Sequence, residues 1–159
     1  MTSRASQAHQ FQCRLVWAGA APDGAAPLDT YSRAYRVDFE GKPSLRGSAA
    51  PAFRGDPALH NPEDLLVAAV SACHCLTYLA LAARAGIRVL SYEDDANGTM
   101  QRADGIIKFT DVTLHPRVTV APGADLEQAR ILHERAHAGC FIASSVNFPV
   151  RNEPTIVTA

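Results

Sequence analysis

The most reactive side chains in the chain are four thiols, Cys13, Cys73, Cys75 and Cys140. A thiolate can attack an electrophile, bind a metal or carry redox chemistry, so the first question is which thiols can act together. There is no CxxC pair and no CxxC…CxxC frame, so a structural zinc site is not signalled. Cys73 and Cys75 are two residues apart. On a helix that is a rotation of about 200°, so they face different ways and do not form one site. Cys140 follows Cys73 by 67 residues (140 − 73). Two cysteines on separate helices can meet in a fold as an attacking and a resolving thiol. Each one alone reads equally well as a small buried apolar side chain.

The histidines offer a competing chemistry. His133, His137 and Cys140 fall at i, i+4 and i+7 on one face of a helix, a spacing a metal can use. Arg130 continues that stripe and its charge opposes a cation. No further ligand at suitable spacing completes the shell, so a plain polar helix face competes with metal binding. His74 sits about 100° from either neighbouring cysteine, so Cys73-His74-Cys75 is not a chelating triplet. His60 reads as a loop residue. The chain has no GxSxG, no P-loop and no Rossmann fingerprint, so hydrolase and nucleotide-binding readings lack support.

The elements that must position these groups can be read locally. Phe11 to Trp17 has strand composition, a Gly/Pro/Ala-rich connection follows over 18–27, and Tyr31 to Phe39 alternates as a second strand. Ser44 to His60 reads as a long loop with a short strand at its start, and it carries Arg46 and Arg54. Asn61 is a good N-cap, Pro62 suits the first helical position, and Glu63 and Asp64 favour the positive helix end. The helix they open is apolar nearly all round and stops at Gly86. A helix of that kind is buried in a core or against a partner, and its length of about 36 Å argues for cover from more than its own chain. Cys73 shares one of its stripes with Leu65, Leu66, Ala69 and Leu76. Beyond it, Ile87 to Arg102 and Ile106 to Val120 read as a long hairpin around Asp104-Gly105, with Pro116 at an edge or a bulge. Ala124 to Gly139 reads as a second helix, and Phe148 to Val157 as a last strand interrupted by Pro149 and Pro154. The order β-β-(β)-α-β-β-α-β predicts an α+β fold.

Composition bounds the function. A chain of 159 residues with 47% apolar residues reads as one domain with a folding composition. A net charge of −1 gives no electrostatic footprint for nucleic acid. The apolar runs read as too short or too broken to span a bilayer, and no signal-peptide core is apparent. The expectation is a cytoplasmic protein with free thiols and no membrane or nucleic-acid partner.

Two segments resemble a known family. Asn61-Pro62-Glu63-Asp64-Leu65-Leu66-Val67-Ala68-Ala69-Val70-Ser71-Ala72-Cys73 is similar to the NPE…AC helix start of the OsmC/Ohr family of organic hydroperoxide reductases. Ala138-Gly139-Cys140-Phe141-Ile142-Ala143-Ser144 resembles the family's second-cysteine segment at the expected distance. The likeness covers nearly the whole chain, residues 1–159 as a single domain. It implies an OsmC-like α+β fold, with two long core helices packed with antiparallel β-sheets in an intertwined homodimer. It also implies a two-cysteine peroxidase without a cofactor, reducing alkyl or fatty-acid hydroperoxides to alcohols. In that scheme Cys73 becomes a sulfenic acid, Cys140 condenses with it to a disulfide, and an external dithiol of lipoyl or thioredoxin type resets the pair.

The resemblance further implies an arginine beside the attacking sulfur, held by Glu63. Arg54 is the choice by position, with Arg33, Arg36 and Arg46 as rivals. Glu63 and Cys73 are about 15 Å apart along a straight helix, so a long arginine must bridge them. Glu63 also reads as a simple helix-dipole carboxylate. Leu66, Leu76 and Phe53 are the expected apolar walls for an organic peroxide. The chain departs from the family pattern at His74, where an aromatic residue is common, and in the extra thiols Cys75 and Cys13. These departures keep open a second reading, an OsmC-fold small-molecule-binding or redox-sensing dimer without efficient turnover.

Overall fold

The computed structural model describes residues 8–19 and 27–159. Most of the connection read over 18–27 lies outside the described residues. The chain divides into two units, residues 1–64 and 65–159.

The N-terminal unit is built on an antiparallel sheet of β1 (Arg14–Trp17), β2 (Tyr35–Phe39) and β3 (Lys42–Gly47) in that order. Both expected N-terminal strands are present but shorter than their sequence patterns. The Tyr35 ring lies across its register partner Gly47, where a Cβ would fall 2.3 Å from the ring. Only glycine fits under that ring. The loop that follows is closely knit. Ala50 O accepts from both Phe53 N and Gly55 N, and Ser48 Oγ accepts from Asp56 N. A 3-10 turn at Pro51–Phe53 ends on Arg54, whose φ of 64° is left-handed.

Helix α1 (Pro62–Arg84) starts and stops where the local chemistry says it should. Asn61 Oδ1 accepts from Asp64 N at 2.8 Å, and Asp64 Oδ2 accepts from Asn61 N at 3.4 Å, closing a reciprocal cap. At the far end Gly86 has φ +73°, Ile87 N bonds to Ala82 O, and Gly86 N bonds to Ala83 O. That is the double bond pattern of a glycine-terminated helix.

The C-terminal unit sets α1 and α2 (Leu126–Gly139) among six strands: β4 (Val89–Asp94), β5 (Asn97–Ala103), β6 (Ile106–Leu114), β7 (Pro116–Val120), β8 (Val150–Asn152) and β9 (Thr155–Thr158). One sheet runs β4-β7-β9 and the other β5-β6-β8. The α+β class holds, and each of these sheets adds one parallel pair, β7 with β9 and β6 with β8, to its antiparallel one. The expected hairpin exists only as β5 and β6, joined through left-handed Asp104 (φ 52°) and Gly105 (φ 82°). Both of its predicted arms break in two, so β4 and β7 pair in a separate sheet. Pro116 therefore occupies neither an edge nor a bulge. It is the first residue of the central strand β7, where a missing N–H is still tolerated. The single strand expected at the C-terminus likewise splits into β8 and β9 around Glu153-Pro154.

Asp94 ties the unit together. Its carboxylate accepts from Ser71 Oγ of α1 at 2.5 Å and from His115 N, just ahead of β7, at 2.7 Å. The main core gathers Tyr78 and Ala82 of α1, Ala129, Leu132 and Ala136 of α2, and Val118 and Val120 of β7. The buried residues of α1 are Val70, His74, Tyr78 and Ala82, every fourth position. None of the apolar stripe Leu65, Leu66, Ala69, Cys73 and Leu76 is fully buried. Leu76 is 68% exposed. The reading of the apolar runs also needs correction, because α1 is long and apolar enough by length and composition to cross a bilayer. Only 22% of its most apolar 18-residue stretch is buried within the chain.

Candidate active site

The two thiols singled out from the sequence are brought together in the C-terminal unit. Cys73 lies midway along α1, partly buried, and Cys140 caps the C-terminus of α2 with no exposure at all. Cys73 lies close enough to Cys140 to add to the raising of its thiol. Both are free thiols. The backbone around Cys140 is pinned by a 3-10 turn at Ala143–Ser145: Ala143 N donates to Cys140 Sγ at 3.4 Å, and Ser144 N and Oγ both donate to Cys140 O. Where the end of α2 approaches α1, Gly139 stands against Thr77, so that a Cβ there would lie 3.4 Å from Thr77 Cγ2.

The two sulfurs differ in burial. Burial first, with the neighbouring Cys73 adding to it, raises the Cys140 thiol to about 11. The Ala143 N–H pulls the other way but does not offset burial. Cys140 is therefore a protonated thiol at neutral pH. Cys73 is the partly accessible sulfur of the two, and Cys140 is the sealed one. Cys75 is also partly buried, and burial followed by the charge of Asp94 raises its thiol.

The remaining expected residues sit as follows. Leu66 is partly buried on α1 and Leu76 is open to solvent one turn beyond Cys73. Phe53 and Arg54 belong to the N-terminal unit, at the tip of the knitted loop. Arg54 is ion-paired with Asp29, and both side chains are largely exposed. Among its rivals, Arg36 is held by Asp38 and Arg33 by the carbonyls of Tyr31 and Leu28. Arg46 makes no side-chain hydrogen bond among the described residues and borders a groove of about 660 Å³ with Phe39, Leu45 and His60. Glu63 is the second residue of α1, and its Oε2 is buried without a hydrogen-bond partner among the described residues. Tyr35 lies close enough for the Glu63 charge to add to burial in raising the phenol. A buried carboxylate oxygen with no partner is costly, and it calls for a cation or donor from elsewhere.

The His133, His137 and Cys140 stripe does not converge on a metal site. His133 Nδ1 is bonded to His74 Nε2 at 3.0 Å, and Cys140 Sγ accepts from Ala143 N. No cluster of three His, Cys, Asp or Glu able to hold a metal occurs among the described residues. Sequence reasoning missed the pairing of His74 with His133, and with it the rings of Tyr78 and Tyr92. Tyr78 stacks on His133 with centroids 3.9 Å apart, and Tyr92 lies 5.9 Å from Tyr78. The available signal was the every-fourth-residue run Val70, His74, Tyr78, Ala82.

Residues 55–154 match the model of the OsmC-like protein family. No curated protein matches the sequence. Among solved structures, an OsmC-like protein of unknown function from Vibrio cholerae is 32% identical with a TM-score of 0.85, covering 93% of this chain and 100% of that one. An organic hydroperoxide resistance protein from Elizabethkingia anophelis has a TM-score of 0.70 at 19% identity, covering 98% and 100%. The Legionella pneumophila organic hydroperoxide resistance protein OsmC has a TM-score of 0.68 at 16% identity, covering 94% and 97%.

Proposed function

Because the chain belongs to the OsmC-like protein family, we propose that it is a two-cysteine thiol peroxidase for organic hydroperoxides. The observation that carries this reading is the neighbouring thiols, one buried and protonated, the other partly accessible. The fold shared with proteins named for organic hydroperoxide resistance supports it.

In the proposed cycle the Cys73 thiolate attacks the distal oxygen of ROOH and breaks the O–O bond. ROH leaves once the alkoxide takes up a proton, and Cys73 becomes a sulfenic acid. Cys140 then attacks the sulfenic sulfur, the S–S bond forms, and the hydroxyl leaves as water with the Cys140 proton. A dithiol of lipoyl or thioredoxin type reduces the disulfide and is itself oxidised to a disulfide. Phe53, Leu66 and Leu76 are the proposed apolar walls. Arg54 is the proposed cation, and two features favour it: its left-handed backbone at the tip of the loop, and an exposed ion pair of the kind that is weakly held. Its guanidinium would supply the missing partner of Glu63. A second copy of the chain is the proposed cover for the apolar surface that α1 leaves open, in a cytoplasmic homodimer.

One observation favours the alternative, a small-molecule-binding or redox-sensing dimer. Cys140 is sealed from solvent, so an external dithiol reaches the disulfide only through Cys73. The test is peptide mapping after one equivalent of tert-butyl hydroperoxide, followed by dihydrolipoamide or thioredoxin. A Cys73–Cys140 disulfide that the dithiol then reduces supports the peroxidase. Four unmodified thiols would refute it, and a disulfide that no dithiol reduces would favour the sensor.

A further inference from the structure

Each thiol has a histidine on its own helix, and the two histidines are bonded to one another. His74 follows Cys73 directly on α1, and His133 precedes Cys140 by seven residues, two turns of α2. Their rings meet through His74 Nε2 and His133 Nδ1 at 3.0 Å, with 1% and 0% exposure. Among the described residues this is the only hydrogen bond joining α1 to α2. Tyr78, one turn after His74, stacks on the same His133 ring with an interplanar angle of 20°. Successive turns of α1 thus clasp one side chain of α2, the first by a directional bond and the second by a ring face.

We propose that the His74–His133 hydrogen bond is the positioning contact that sets how fast Cys140 closes onto a modified Cys73, by holding the helix of one thiol in register with the helix of the other. This inference rests on the two-cysteine reading. Closing a disulfide leaves little tolerance, since the Cβ atoms must come within about 3.5–4.5 Å. Cys140 stands on an arm of roughly 10 Å from His133, so a tilt of about 10° there displaces it by nearly 2 Å. Among the described residues no comparable side-chain bond joins the thiol end of α2 to α1, where Gly139 meets Thr77 with no side chain, so the directional tie between the helices is the histidine pair.

The pair is expensive for a core contact. The outer nitrogens, His74 Nδ1 and His133 Nε2, are buried without partners among the described residues. An apolar pair of similar volume would avoid that desolvation cost. What two histidines add is direction. Burial holds both rings neutral, so a single proton lies between Nε2 and Nδ1 and the tautomer decides which ring donates it.

The test separates closure from the first chemical step. Cys73 is converted to its mixed disulfide with glutathione, and release of glutathione by Cys140 is timed in stopped flow. A parallel reaction with tert-butyl hydroperoxide follows sulfenic acid formation by dimedone trapping. His74→Phe keeps a ring and removes the bond; it is expected to slow closure about tenfold and to leave Cys73 oxidation within twofold. His133→Asn, whose amide occupies the Nδ1 position, is expected to keep closure within about threefold. If His74→Phe does not fold, His74→Met serves in its place.

Closure unchanged in the bond-deleting variant would overturn the inference. So would equal slowing in His133→Asn, or an equal loss in both steps. Failure of hydroperoxide to oxidise Cys73 in the unaltered protein would instead count against the peroxidase reading. The glutathione reaction would still decide the role of the histidines.

Discussion

Acidification should unfold this protein through its two buried imidazoles, by an amount the structure lets one work out. His74 is held near pKa 4, by burial first and then by the charge of His137, with Asp94 opposing. His133 is held near 3, by burial and then by the charge of His74. The other ionisable groups beside them are the phenols of Tyr78 and Tyr92, whose burial keeps them protonated. An unfolded histidine titrates near 6.5, so between about 6.5 and 4 the unfolded chain binds protons that the folded chain refuses. Stability from this source is complete above 6.5 and falls as pH drops through that window. At pH 5 each histidine favours the unfolded state by about 2 kcal/mol, so the pair loses roughly 3.5 kcal/mol between pH 7 and pH 5. For a chain of this length that is a fall in Tm of roughly 7–14 °C. Carboxylates titrate in the same range, so the assay compares urea unfolding of the parent with a His74→Phe/His133→Leu double variant at pH 7 and 5. All other groups are common to both, and the difference isolates the pair. pH profiles parallel to within about 1 kcal/mol would show that the rings are not held neutral and would refute the reasoning.

Three further outcomes follow from the same contacts. Cys140→Ser removes the resolving thiol, so under tert-butyl hydroperoxide Cys73 should accumulate as a dimedone-reactive sulfenic acid without disulfide, as mass spectrometry of the trapped peptide would report. Gly55→Ala should cost about 2 kcal/mol or more in chemical denaturation, because its Cβ would lie 1.5 Å from Ala49 O and the Ala50 bonds would have to open. Glu63→Gln should bring Tyr35 ionisation down part of the way, since burial is the larger cause of its raised pKa and the Glu63 charge the smaller; NMR titration of the tyrosine rings reads the shift.

Parts of the fold were legible because they are decided within a few residues. The Asn61 cap, the stop at Gly86 and the Asp104-Gly105 turn each depend on local φ, a missing N–H or a side-chain acceptor close by. The pairing of strands was less legible. The runs 87–102 and 106–120 look like two long arms, yet each feeds two sheets, because Asp94 bonds back to Ser71 and to the His115 N–H at the point where the arms divide. Residue patterning does not encode that three-way contact. Cys73 was separable from Cys75 by helical angle, but its pairing with Cys140 came from family resemblance.

The sequence by itself determined which segments become helices, where they begin and end, and that α1 carries more apolar surface than one stripe needs. Periodicity ranks faces without saying what each will meet. Only the tertiary structure decided that the face of Val70, His74, Tyr78 and Ala82 is the buried one, and that Cys73 lies beside it, partly accessible. It also decided that His74 bonds to a histidine 59 residues away, and that Cys140 is kept protonated. Burial and the hydrogen bonds it forces depend on the packing of distant elements, and a thiol's proton affinity follows from that packing rather than from its neighbours in the chain.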